Sequence, residues 1–116
     1  MRDQQAIRER YLRDDLPVRL GGLAANLRRI KSFAARDANQ AAVESLIDES
    51  KCFIEWSAAE VETAQAAELV ELQVQLACWQ YRWTQIWPDV TRRAQMAEQA
   101  RMWSDRVLNL SELLSA

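Results

Sequence analysis

The chain predicts an all-α fold, an antiparallel up-down-up-down four-helix bundle with a short N-terminal extension, and three observations predict it. Only two Gly and two Pro occur in 116 residues, where an average chain would carry roughly 7% and 5% of them, so few tight turns can be built. Ala, Leu, Gln, Glu and Arg, which lose little side-chain freedom in a helix, dominate the sequence. Apolar residues recur at spacings of three and four in four successive stretches.

The first stretch follows Asp15, with Pro17 where a missing N–H costs nothing. Leu16, Leu20, Leu23, Leu27, Ile30 and Ala34 mark the inward stripe of a helix over about residues 17–35. Within it, Gly21 and Gly22 each weaken the helix by roughly 1 kcal/mol relative to Ala, which suits a close helix contact or a local kink. Residues 1–15 form the N-terminal extension, a short helix or a partly disordered segment, with Ile7, Tyr11 and Leu12 available to pack on the end of a domain spanning 16–116.

Asp37 followed by Gln40 has the spacing of a capping box and starts a second helix. Its inward stripe is Val43, Leu46, Ile47, Ser50, Phe53 and Ile54, and its polar face is strongly acidic. No Gly or Pro interrupts residues 40–87, yet a single rod about 70 Å long would leave its stripe uncovered. A break is therefore expected within 57–63, where Ser57 with Glu60, or Thr63, can cap the third helix.

The third helix, about 63–87, carries two adjoining apolar stripes: Ala67, Val70, Val74, Ala77 and Tyr81 beside Leu69, Leu72, Leu76, Trp79, Trp83 and Ile86. This pattern predicts the most buried helix of the four. Pro88 ends it, and Asp89 caps a fourth helix over about 89–114. The fourth buries Val90, Ala94, Ala97, Ala100, Trp103, Val107, Leu110 and Leu114, leaving Arg92, Arg93, Arg101, Asp105 and Arg106 outside.

Charge is segregated along this order. Residues 1–36 hold nine Lys/Arg against four Asp/Glu, residues 37–71 one against nine, and residues 72–116 five against four. Basic helices one and four are expected to flank acidic helix two, with the apolar stripes supplying most of the stability. With a net charge of −2 and no helix-turn-helix signature, the cluster Arg28, Arg29, Lys31 and Arg36, preceded by Arg8, Arg10, Arg13 and Arg19, reads as neutralisation of the acidic segment rather than as a nucleic-acid surface. No apolar run reaches the roughly 20 residues of a membrane span, and the start lacks a secretion signal, so no membrane insertion and a cytoplasmic location are expected.

The chain has no histidine, which removes Ser-His and Cys-His nucleophile pairs, Glu-x-x-His di-iron ligation and the commonest haem and zinc ligand. No cofactor is expected. The thiols Cys52 and Cys78, offset by about 12 Å across a hairpin folded near residue 61, are expected to be reduced. Glu44, Asp48, Glu68 and Glu71 are the candidates for an all-carboxylate magnesium site, but no second Glu-x-x-Glu or Glu-x-x-Asp completes the set used by all-helical nucleotide pyrophosphohydrolases. Trp79, Trp83 and Trp87 recur every four residues, a ridge that suits core packing or a surface for a partner or a second copy.

The segments 11–17, 20–24 and 49–56, reading YLRDDLP, LGGLA and ESKCFIEW, resemble small all-helical proteins of unknown function in cyanobacteria. That resemblance covers about a quarter of the chain and implies a cytosolic helical protein without assigning any functional residue. The expected function is a non-enzymatic protein–protein interaction or assembly module, its partner another protein or a second copy in a homodimer. The alternative is a Mg-dependent nucleotide phosphohydrolase on the four carboxylates.

Overall fold

The computed structural model describes residues 3–115, and they form six helices with no strand among the described residues. Helix α1 spans Gln4–Leu12 and is started by Asp3, whose carboxylate accepts the main-chain N–H groups of Gln5 and Ala6 at 3.1 and 3.3 Å. Helix α2 spans Leu16–Phe33 with Pro17 in its first turn. One tight helical turn, Asp37–Asn39, leads into α3, Gln40–Ser57, and a second, Ala58–Glu60, leads to α4, Thr63–Tyr81. The short α5, Trp83–Ile86, and the long α6, Val90–Ser115, complete the chain. No helix among the described residues is long and apolar enough to cross a membrane.

Several expected caps are replaced by longer-range contacts. The Asp37 carboxylate binds the Arg93 guanidinium instead of capping α3, and Asn39 Nδ2 donates to the Phe33 carbonyl at 3.1 Å. Ser57 and Glu60 do not cap α4 either. The Ser57 hydroxyl is buried 3.3 Å from the Tyr11 hydroxyl, and Glu60 turns to Arg19. Asp89 does cap α6, accepting from Thr91 N at 3.0 Å and Arg92 N at 3.2 Å.

The third helix does not run on to residue 87. It stops at Tyr81, and Arg82 (φ −99°, ψ 15°) separates it from α5. Trp87, although it precedes Pro88, keeps helical angles (φ −61°, ψ −46°), so the interruption falls more than a turn before the proline. Its ring stacks on Trp83 with centroids 5.1 Å apart and lies under the Arg93 guanidinium, contacts that fix this residue against its backbone preference.

Helix α2, not α4, is the most buried. Leu20, Leu23, Leu27 and Ile30 are fully inaccessible, each contributing roughly 1.5–3 kcal/mol by burial. It packs between α3 and α6, while α3 also meets α4 and α4 touches α6. The acidic α3 is therefore flanked by α2 and α4 rather than by the two basic helices. Neighbours run antiparallel: Ser111 of α6 lies against Pro17 near the start of α2 and Asp105 against Arg28 further along it, while Glu49 of α3 meets Asn26 and Trp56 meets Arg19. In α6 the buried stripe is Met96, Ala100, Ser104, Val107, Leu110 and Ser111, so Val90 and Ala94, expected inside, are exposed.

Candidate functional site

The three tryptophans do not form a surface ridge. Trp79, Trp83 and Trp87 retain only 3%, 9% and 5% exposure, because the start of α6 crosses the end of α4 and α5 and covers them. Trp79 Nε1 donates to Gln99 Oε1 at 3.2 Å. Arg93, expected outside, is folded inward with its guanidinium 4.8 Å from the Trp87 ring centre and one N–H on the Trp87 carbonyl at 3.3 Å. These rings belong to the chain's own core.

The four carboxylates proposed for magnesium do not converge. Asp48 accepts a hydrogen bond of 2.6 Å from Gln80 Nε2, and Glu44 lines the same small cleft between α3 and the end of α4. Glu68 and Glu71 instead face α6, where Arg106 Nη2 sits 3.1 and 3.5 Å from them. Gln80 lies 9 and 12 residues beyond Glu71 and Glu68, so the two pairs stand roughly 14–18 Å apart along α4 and look at different helices. Across the link made by the tight turn Ala58–Glu60 and residues 61–62, Asp48 comes opposite Gln80 rather than opposite Glu68 or Glu71. No group of three or more Cys, Asp or Glu with metal-binding geometry occurs among the described residues. The structure does not bring Glu44, Asp48, Glu68 and Glu71 together.

One basic residue of the N-terminal cluster has a role the sequence did not disclose. Arg19, 5% exposed, makes a two-pronged ion pair with both Glu60 oxygens at 2.7 Å, and its Nε–H donates to the Asp14 carbonyl at 3.0 Å. Its own carbonyl accepts the Tyr11 hydroxyl at 2.8 Å. Tyr11 in turn stacks on Phe53, with centroids 3.9 Å apart. Hydrogen bonding from Arg19 holds the Glu60 carboxyl below its ordinary range, and burial pushes the Tyr11 phenol up to about 12. This cluster ties α1 and the α3–α4 link to α2. The signal was present, because Arg19 shares the stripe of Leu23, Asn26 and Ile30, where a charge requires a partner.

The two thiols are free and face different surroundings. Cys52 is half-buried, and burial with Glu55, Asp48 and Glu49 around it raises its thiol pKa, whereas Cys78 is exposed. A cleft of about 530 Å³ between α4, α5 and α6 is lined by Cys78, Arg82, Arg92 and the amides of Gln75, Gln95 and Gln99, among others, with no carboxylate in the lining. It offers hydrogen-bond donors and no acid–base pair.

The largest departure from expectation is on α4. Of its two apolar stripes only Leu69, Leu72, Leu76 and Trp79 are buried. Val70, Val74 and Tyr81 are 55%, 57% and 90% exposed, and Ala67 and Ala77 between them are also exposed. Their spacing of three, four, three and four residues places all five on the side of α4 opposite the buried stripe. Arg82 and Glu71 lie on its rim toward α6, and Gln73 and Gln80 on the rim toward α3.

Comparisons with protein-family models, curated proteins and solved structures give no match to this chain.

Proposed function

We propose that this chain is a non-enzymatic cytoplasmic interaction module, an up-down-up-down bundle of α2, α3, α4 and α6 braced by α1 and α5, which binds through the apolar face of α4. The observation that carries this reading is the exposed stripe Ala67, Val70, Val74, Ala77 and Tyr81. Single exposed apolar residues are ordinary on any surface, but five aligned at helical spacing with a polar rim form the pattern of a helix-packing seam. The buried Trp79, Trp83 and Trp87 and the separated carboxylates supply no competing centre among the described residues.

A photo-crosslinking residue placed at Val74, and in a second variant at the equally exposed Val18 of α2, tests the reading in cells. Discrete adducts from position 74 that are absent from position 18 are expected. Equal labelling from both positions, or none from position 74, overturns it.

A further inference from the structure

We infer that the partner on the α4 stripe is a second copy of the same chain, lying antiparallel about a two-fold axis near Gln75 and Leu76; this rests on the interaction reading above. Residue size argues first. In that register Val70 meets the partner's Tyr81 and Val74 meets the partner's Ala77, so each large side chain faces a smaller one, and the axis repeats both layers. A parallel pair stacks Tyr81 on Tyr81 and Ala67 on Ala67, which crowds one end of the seam and leaves a gap at the other.

Charge argues second, and selects the same orientation. Within the chain a single guanidinium, Arg106, serves both Glu68 and Glu71, whose side chains remain 46% and 67% exposed. Arg82, exposed on the same rim eleven residues after Glu71, has no side-chain partner among the described residues. Antiparallel packing keeps like rims on one side of the two-fold axis, so the Arg82 guanidinium of each chain reaches the Glu68 and Glu71 carboxylates of the other. A parallel pair holds these groups roughly 17–21 Å apart along the axis. The opposite rim, Gln73 and Gln80, is neutral and opposes no like charges.

One helix face is a small footprint, at or below the ~1,200 Å² typical of stable complexes, so a dissociation constant of about 10–100 µM is expected. Sedimentation equilibrium of the full chain from about 10 µM to 1 mM reads it. Four proteins are compared: wild type, Val74→Glu, Arg82→Glu and the double variant Arg82→Glu/Glu71→Arg. All change exposed positions, and circular dichroism of each checks that the helices persist. The wild type is expected to dimerise and Val74→Glu to remain monomeric. Arg82→Glu is expected to dimerise about tenfold more weakly, because the two-fold axis duplicates each charge pair, and the double variant to recover most of that loss.

A wild type that stays monomeric at 1 mM overturns the self-association. If the crosslinks from position 74 then join the chain to a different protein, the interaction reading stands without it. A dimer unaffected by Val74→Glu places the contact on another surface. A dimer indifferent to Arg82→Glu overturns the antiparallel pairing.

Discussion

The hydroxyl of Ser104 on α6 donates to the main-chain carbonyl of Ala24 on α2 over 2.8 Å, across 80 positions of sequence. Such a bond needs backbones in close approach, and small residues permit it: Gly21 and Ala24 on one helix, Ala100, Ser104 and Ser111 on the other, while Gly22 faces Tyr11 of α1. The glycines nevertheless are not required by space. A methyl group added at Gly21 meets the Ser111 hydroxyl at 3.9 Å, and one at Gly22 meets the Tyr11 ring at 3.9 Å, both ordinary contacts with no left-handed backbone involved.

The first prediction follows from that seam. Gly21→Ala and Gly22→Ala each stabilise the fold by about 0.5–1 kcal/mol, because helix propensity is gained without a clash. Ser104→Ala costs about 1 kcal/mol for the lost hydrogen bond, and Ser104→Leu costs more because it forces the helices apart. Urea unfolding curves check all four. Destabilisation by Gly21→Ala contradicts the interhelical spacing described for α2 and α6.

Stability should fall at both ends of the pH scale for two neighbouring reasons. Glu60 is held below its ordinary value of 4.5 by Arg19, so its contribution is complete above 4.5 and disappears as pH falls through the lowered folded value. Tyr11 is pushed from 10.0 to about 12, so its protonated, buried form stabilises the fold below pH 10 and that contribution is lost between 10 and 12, amounting to roughly 2–3 kcal/mol. Glu60→Gln should flatten the acid limb, with its deficit at pH 7 shrinking toward pH 3. Tyr11→Phe should flatten the alkaline limb. Thermal unfolding across pH 3–12 measures both, and an unchanged acid limb in Glu60→Gln counts against the ion pair.

These two cases show what the sequence could and could not disclose. The starts of α2 and α6 were legible because Pro17 and Asp89 act locally, and the inward stripes of α2 and α3 were legible because each has only one apolar face. Asp37, Ser57 and Glu60 misled as caps because each found a partner far along the chain, in Arg93, Tyr11 and Arg19. On α4 both stripes were visible, but which one would be buried depends on the neighbours. Since α3 and α6 meet α4 from one side, they cover Leu69, Leu72, Leu76 and Trp79 and leave Val70, Val74 and Tyr81 open. The tryptophan spacing likewise could not tell core from surface, because that depends on α6 folding back over α5.

The separation of the carboxylates yields the last prediction. Magnesium demands near-octahedral oxygen ligation at about 2.1 Å, and no two of the four carboxylates on opposite sides of the roughly 14 Å gap can share an ion. The Asp48 carboxylate is already engaged by Gln80, and Glu68 and Glu71 by Arg106. Addition of ~5 mM magnesium chloride should therefore leave Tm unchanged within about 1 °C of a sodium chloride control at equal ionic strength. A site with Kd near 1 mM would add about 1 kcal/mol at that concentration, or roughly 4 °C for a domain of this size. Differential scanning calorimetry resolves that difference, and a magnesium-specific rise of about 4 °C removed by Glu68→Gln or Asp48→Asn would show that the two acidic pairs can be brought together after all.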